Sequence, residues 1–170
     1  MSDGLDFPPE LAELLDRDFP YEEDGDIDFE PYHQFQSLDE NADWIRAWTG
    51  NLELDGAEYR FFGQDGTGGR AGFWLARPGR PVLEQPVVFF GSEGTTAVIA
   101  RDFADLCWLM AGGSGPMEAA ENCTPIRPDP QIKELAEELA PDREAKPKHI
   151  VAAARAEFPN FSDDIAALTC

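Results

Sequence analysis

The stretch 61–75, "FFGQDGTGGRAGFWL", sets five glycines between two aromatic runs, and the fold turns on whether they hold a phosphate or only reverse the chain. Gly66-Thr67-Gly68-Gly69-Arg70-Ala71 satisfies the loose dinucleotide fingerprint, in which alanine replaces the last glycine. That fingerprint works only where a strand enters the glycines and a helix leaves them, so that free N–H groups at the helix start face a pyrophosphate. Here the exit is Gly72-Phe73-Trp74-Leu75-Ala76-Arg77-Pro78-Gly79, an aromatic, strand-favouring run closed by proline and glycine. The entry, Glu58-Tyr59-Arg60-Phe61-Phe62-Gly63, is strand-like as well. The stretch is therefore read as a β-hairpin whose glycines supply the positive φ angles of a tight connection. The lysine and hydroxyl of a P-loop are also missing, since no Gly-Lys-Ser or Gly-Lys-Thr occurs in the chain.

Outward from the hairpin, short strand-like runs at 58–62, 72–76, 86–90 and 95–100 are separated by glycine and proline, the pattern of an antiparallel sheet built by hairpins. Phe61-Phe62, Phe73-Trp74 and Phe89-Phe90 put aromatics on both faces, so helices are expected over much of one side. Before the sheet, Pro8 and Pro9 suit a first helical turn and Leu11, Leu14 and Leu15 recur at helical spacing. The acidic and aromatic stretch that follows is read as an ordered loop or edge segment. Ser37 and Glu40 then form a capping box for a helix carrying Trp44, Ile45 and Trp48 and ending at Gly50. Beyond the strands, Asp102 caps a helix with Phe103, Leu106, Cys107 and Met110 on one face, stopped by Gly112 or Gly113. Further helices are expected at about 130–140 and 144–157 and from Ser162, with Pro141 and Pro159 at the breaks. Trp44, Trp48 and Trp108 are read as core. The fold class is α+β, a single domain whose central antiparallel sheet of about four to six strands is flanked by helices.

With 170 residues, 42% of them hydrophobic, the chain suffices for one globular unit. It has no apolar run near the ~20 residues of a membrane span, and "MSDGLDFPPE" lacks the parts of a signal peptide. A soluble, cytoplasmic protein is expected. Cys107, Cys123 and Cys170 are odd in number and form no Cys-x-x-Cys pair, so they are read as reduced thiols. His33 and His149 have no cysteine or second histidine at ligand spacing, so no metal and no cofactor are expected. Asp24, Asp26 and Asp28 imitate the start of an EF-hand loop, but Phe29 takes the turn-glycine position and Phe35 that of the bidentate glutamate. Asp102 and Asp105 are read as a helix cap and a first-turn acid, and His149 as part of a solvated helix.

The formal net charge is −21, from 34 acidic and 13 basic side chains, which argues against binding nucleic acid or anionic membranes. A charged partner would be basic. Residues 1–43 hold 15 of the acids and a single base, Arg17, so about two thirds of the excess lies in the first quarter of the chain.

The order Trp48-Thr49-Gly50-Asn51, "RFFGQDGTGGRAGFWLAR", "QPVVFFGSEGTTAVIARDFADLCWLMAGGSGP" resembles the SUKH superfamily of bacterial immunity proteins, which also includes fungal cell-wall-assembly regulators. The likeness covers roughly residues 44–118. Its most specific part is "VVFFGSEGTTAVIARDFADLCWLMA": a strand ending in Phe-Gly-Ser-Glu-Gly, another strand, then an acid-capped helix with a Leu-x-Trp-Leu core, Leu106 to Leu109. The resemblance implies one SUKH-like domain over 1–170: an acidic helix and loop extension at 1–36, the core at 37–118 and C-terminal helices at 119–170. It also implies an absence of catalytic residues and a role in neutralising toxins in the bacterial cytoplasm. Many relatives open with a Leu-Pro-x-x-Tyr helix, which the acidic segment replaces here.

The leading expectation is thus a non-enzymatic immunity protein, monomeric when free, whose partner is a basic toxin such as a nuclease. The candidate contact residues are Glu22, Glu23, Asp24, Asp26 and Asp28 in the acidic segment, Gln64 and Asp65 on the hairpin loop, and Ser92 and Glu93 after the third strand. A scaffold or regulator of the same fold is the alternative. A small enzyme with a scattered site ranks lower, because no Gly-x-Ser-x-Gly elbow, His-Glu-x-x-His or Cys-plus-His arrangement is present.

Overall fold

The computed structural model of the protein describes residues 5–17, 27–121, 125 and 127–169. The 61–75 stretch is a hairpin: β2 (Tyr59–Gln64) and β3 (Arg70–Trp74) pair antiparallel, Tyr59 opposite Trp74 and Gln64 opposite Arg70. Gly68 turns the chain at φ 97°, a left-handed conformation that side chains resist. β4 (Val87–Phe90) and β5 (Thr96–Ala100) continue the meander, and β1 (Glu30–Pro31) adds to the outer side of β2. The five strands lie in the order β1-β2-β3-β4-β5, every pair antiparallel.

The acidic and aromatic stretch does contribute an edge segment. Pro31 has no N–H to offer a ladder, which confines it to a sheet edge. Its partner Gly63 is needed for another reason: a Cβ there would come 2.2 Å from the Phe29 ring, which packs over the strand.

Consecutive apolar residues in the strands bury both faces of the sheet. Phe62, Ala71, Phe73, Val87, Phe89, Ala97 and Ile99 belong to one core cluster. Tyr59, Phe61, Val88, Phe90 and Val98 belong to a second. The first is closed by α1 (Pro9–Leu15), α3 (Phe103–Ala111), α4 (Pro116–Ala120) and α5 (Pro130–Leu139). The second is closed by α2 (Leu38–Thr49) and α7 (Phe161–Leu168). Helices therefore cover both sides, where the sequence pointed to one, because runs such as Val87–Phe90 leave no polar face for water.

The remaining helix, α6 (Pro147–Glu157), gives Ile150 and Val151 to the first cluster and Ala154 to the second. It lies along β5 and covers the edge opposite β1. It starts later than expected, since Pro141–Arg143 forms a separate 3-10 turn and Pro147 takes the first helical position. Trp108 is buried, while Trp44 and Trp48 are half-buried against the second cluster. No helix among the described residues is long and apolar enough to cross a membrane.

Candidate functional site

The glycine loop between β2 and β3 is organised by one carboxylate. Asp65 Oδ1 accepts from the Thr67 N–H at 2.7 Å, the Thr67 hydroxyl at 2.6 Å and the Gly69 N–H at 3.1 Å. This is the Asx geometry that lets a short acidic side chain replace backbone acceptors in a turn. Asp65 is only 3% exposed, and its Oδ2 is buried without a hydrogen-bond partner. The expectation that Asp65 faces a partner is therefore corrected: its carboxylate points into its own turn, held there by three donors. Ser92, from the β4–β5 turn, donates to Thr67 Oγ1 at 2.9 Å and ties the two turns together. Glu93 beside it is exposed.

Asp28 holds the same loop from the N-terminal side. Its Oδ1 accepts from the Gly66 N–H at 2.9 Å, and its own N–H donates to Glu118 Oε2 at 3.0 Å. Burial raises the pKa of Glu118 above the ordinary carboxylate value, and the Asp28 N–H works against that shift. Gln64, at the end of β2, accepts from the Tyr32 hydroxyl at 3.0 Å and donates to Glu30 Oε2 at 3.4 Å. Desolvation raises the Tyr32 pKa, opposed by the nearby Arg70 guanidinium.

These contacts set the 28–33 segment opposite α1, and the space between them is a cleft of about 1250 Å³. Glu13 on α1, Asp16 just beyond it, Asp28 and Glu30 line this cleft. Among the described residues on its wall there is one arginine, Arg17, which donates to the carbonyls of Leu14 at 2.7 Å and Glu13 at 3.2 Å. It thus serves the free carbonyls at the end of α1 and leaves these four carboxylates as the dominant charge among the described lining residues.

Of the sequence candidates, Asp28, Gln64, Asp65 and Ser92 come together around the glycine loop, whereas Glu22, Glu23, Asp24 and Asp26 lie outside the described residues. The structure adds Glu13, Asp16 and Glu30. The spacing of Leu11, Leu14 and Leu15 already turned Glu13 away from the core, but no local signal set α1 opposite β1.

A second acidic group is fully committed to structure. Asp105 is 1% exposed and receives Arg101 Nε at 2.7 Å and Arg143 Nη2 at 2.8 Å, and Arg143 also reaches Asp102 Oδ1 at 3.0 Å. Asp102 in turn accepts from the Asp105 N–H at 3.0 Å as the helix cap. The hydrogen bond to Asp105 raises the Arg101 pKa. Cys107 is buried, and desolvation pushes its thiol up to about 12, so it stays protonated inside the core. Among the described residues, no group of three or more His, Cys, Asp or Glu is arranged to hold a metal ion.

Compared with family models, with curated proteins and with solved structures, the chain matches none. The functional reading therefore rests on the cleft itself: four carboxylates on a concave surface, suited to a cationic surface brought by another molecule.

Proposed function

We propose that this chain is a non-catalytic binding protein that neutralises a cognate bacterial toxin in the cytoplasm, offering the acidic cleft to a basic surface of that toxin. The observation that carries this reading is the convergence of Glu13, Asp16, Asp28 and Glu30 on one concave face whose arginine is turned to helix carbonyls. A toxin domain that acts on nucleic acid needs lysines and arginines against phosphate. An acidic face opposite them gains association rate and rejects wrongly charged partners.

The succession of elements supports the same reading. β4 ends at Phe90, the Gly91–Gly94 turn follows, β5 comes next, and α3 opens at the Asp102 cap with Leu106 to Leu109 buried. This is the order of landmarks on which the SUKH resemblance rests.

The test is a growth assay in which the protein encoded immediately upstream is expressed in a sensitive host with and without this chain, followed by co-purification. Rescue accompanied by a stable complex is the expected result. A harmless neighbour, or killing that this chain leaves unchanged, overturns the toxin reading in favour of an intracellular scaffold.

A further inference from the structure

A second concave surface, of about 910 Å³, shares no lining residue with the acidic cleft. Its floor is apolar, formed by Trp108 and Ala111 of α3, Ala119 of α4 and Val151 of α6. The Trp108 indole N–H is satisfied by the Ala140 carbonyl at 2.7 Å, so the ring contributes only its apolar surface. The size lies in the range of ligand-binding clefts.

The rim has the opposite sign to the rest of the molecule. Among the described residues, Lys133, Lys146, Lys148 and Arg155 line it with one carboxylate, Glu144, in a chain whose net charge is −21; Lys133 also pairs with the exposed Glu137 at 3.8 Å, and Arg155 donates to the Ala120 carbonyl at 3.3 Å. Lys146 and Lys148 are exposed and make no ion pair among the described residues. They flank the start of α6, where no side chain caps the helix, so its positive end adds to theirs. Along α6, Lys148, Val151, Ala152 and Arg155 fall at i, i+3, i+4 and i+7 and form one stripe, apolar in the middle and cationic at both ends.

We infer that this cleft binds an acidic peptide segment carrying apolar side chains, supplied by another protein. Charge spacing selects a peptide over a small anion. Lys148 and Arg155 are separated by about 10 Å along the helix, with Lys133 contributed by α5, so one carboxylate can engage only one part of the rim. A segment with glutamates or aspartates between leucines or phenylalanines meets both ends of the stripe while its apolar side chains enter above Ala119 and Val151. The inference is independent of toxin binding, because neither the residues nor the sign of the charge is shared.

The test uses the full chain and a fluorescein-labelled peptide of about twelve residues, roughly 18 Å as a helix, made of alternating glutamate and leucine pairs. Fluorescence anisotropy is expected to show binding that weakens about tenfold or more in the Lys146→Glu/Lys148→Glu variant, a difference of at least ~1.4 kcal/mol. Acidic residues suit a helix start, so this variant keeps α6 stable. Ala152→Trp, at an exposed position on the stripe, is expected to fill the cleft and abolish binding without disturbing the core. Peptides with lysine for glutamate, or serine for leucine, are expected to fail. No binding of the acidic peptide, equal binding of the lysine peptide, or unchanged affinity in either variant overturns the inference.

Discussion

Arg143 Nη2 lies 2.8 Å from Asp105 Oδ1, a pair that joins the 3-10 turn after α5 to the first turn of α3 across 38 residues of chain. The Asp105 side chain is 2% exposed and that of Arg143 33%, so removing the arginine leaves a buried carboxylate with Arg101 alone. Hydrogen bonds to charged groups contribute about 1.5–3 kcal/mol, and Arg143→Ala is expected to lose about 2 kcal/mol in urea unfolding. Arg80→Ala serves as the control, since its pair with Glu84 is exposed and its loss should stay within about 1 kcal/mol.

Glu118 predicts a pH dependence of definite sign. Its folded-state pKa is raised by burial, so the fold favours the protonated acid. The stability tied to that proton is present below the unfolded value and lost as pH rises through the folded one. Glu118→Gln removes the buried charge and keeps an oxygen to accept the Asp28 N–H. Its melting temperature should exceed that of the wild type at pH 7, with the gap closing as pH falls below the ordinary carboxylate range. Paired thermal melts across that range check it, and a gap that widens in acid refutes it.

Local hydrogen-bond chemistry made much of the fold legible in the sequence. Ser37 Oγ accepts from the Glu40 N–H at 3.2 Å, Gly50 ends α2 at φ 72°, and Asp102 caps α3, each within a few residues of its partner. The hairpin at 61–75 was legible for the same reason. β1 was less so, because a pairing of two residues that depends on the Phe29 ring over Gly63 leaves no period to read. The acidic cleft needs α1 opposite the 28–33 segment, a tertiary placement that charge counting cannot supply. Asp65 misled because its residue type and loop position suit a contact residue as well as a turn organiser.

Phe90 is the centre of the second core cluster. Its ring meets Trp44, Trp48, Tyr59, Phe61 and Phe161 at centroid distances of 5.1–5.9 Å, all five edge to face. Phe90→Ala removes these contacts from a fully buried site between the sheet and two helices. The expected loss is about 3–5 kcal/mol in denaturant unfolding. A loss below about 1 kcal/mol would mean that α2 and α7 collapse freely onto the gap.

Asp65 and Glu93 separate loop construction from partner contact. Asp65→Ala strips the acceptor from the Thr67 and Gly69 N–H groups and should cost about 1–3 kcal/mol of stability. Glu93→Ala, at an exposed position, should stay within about 0.5 kcal/mol. Equal effects in chemical denaturation would remove the assignment of Asp65 as the organiser of the turn.

The acidic cleft predicts a kinetic signature in the complex with the partner recovered by co-purification. Glu13 and Glu30 line it and are exposed, whereas Asp28 also holds the Gly66 N–H, so reversing Asp28 would confound charge with loop geometry. Glu13→Lys/Glu30→Lys changes the local field by four units, keeps the Asp28–Gly66 hydrogen bond and gives up only the long, exposed contact from Gln64 to Glu30 at 3.4 Å. Long-range fields act mainly before contact, and the variant should associate about tenfold more slowly at low salt while dissociating at a similar rate. The difference should shrink as ionic strength rises and the screening length falls to about 8 Å near 0.15 M. Surface plasmon resonance across a salt series separates the outcomes. A change confined to dissociation places these carboxylates in a desolvated contact, and unchanged kinetics in both phases removes the cleft from the interface.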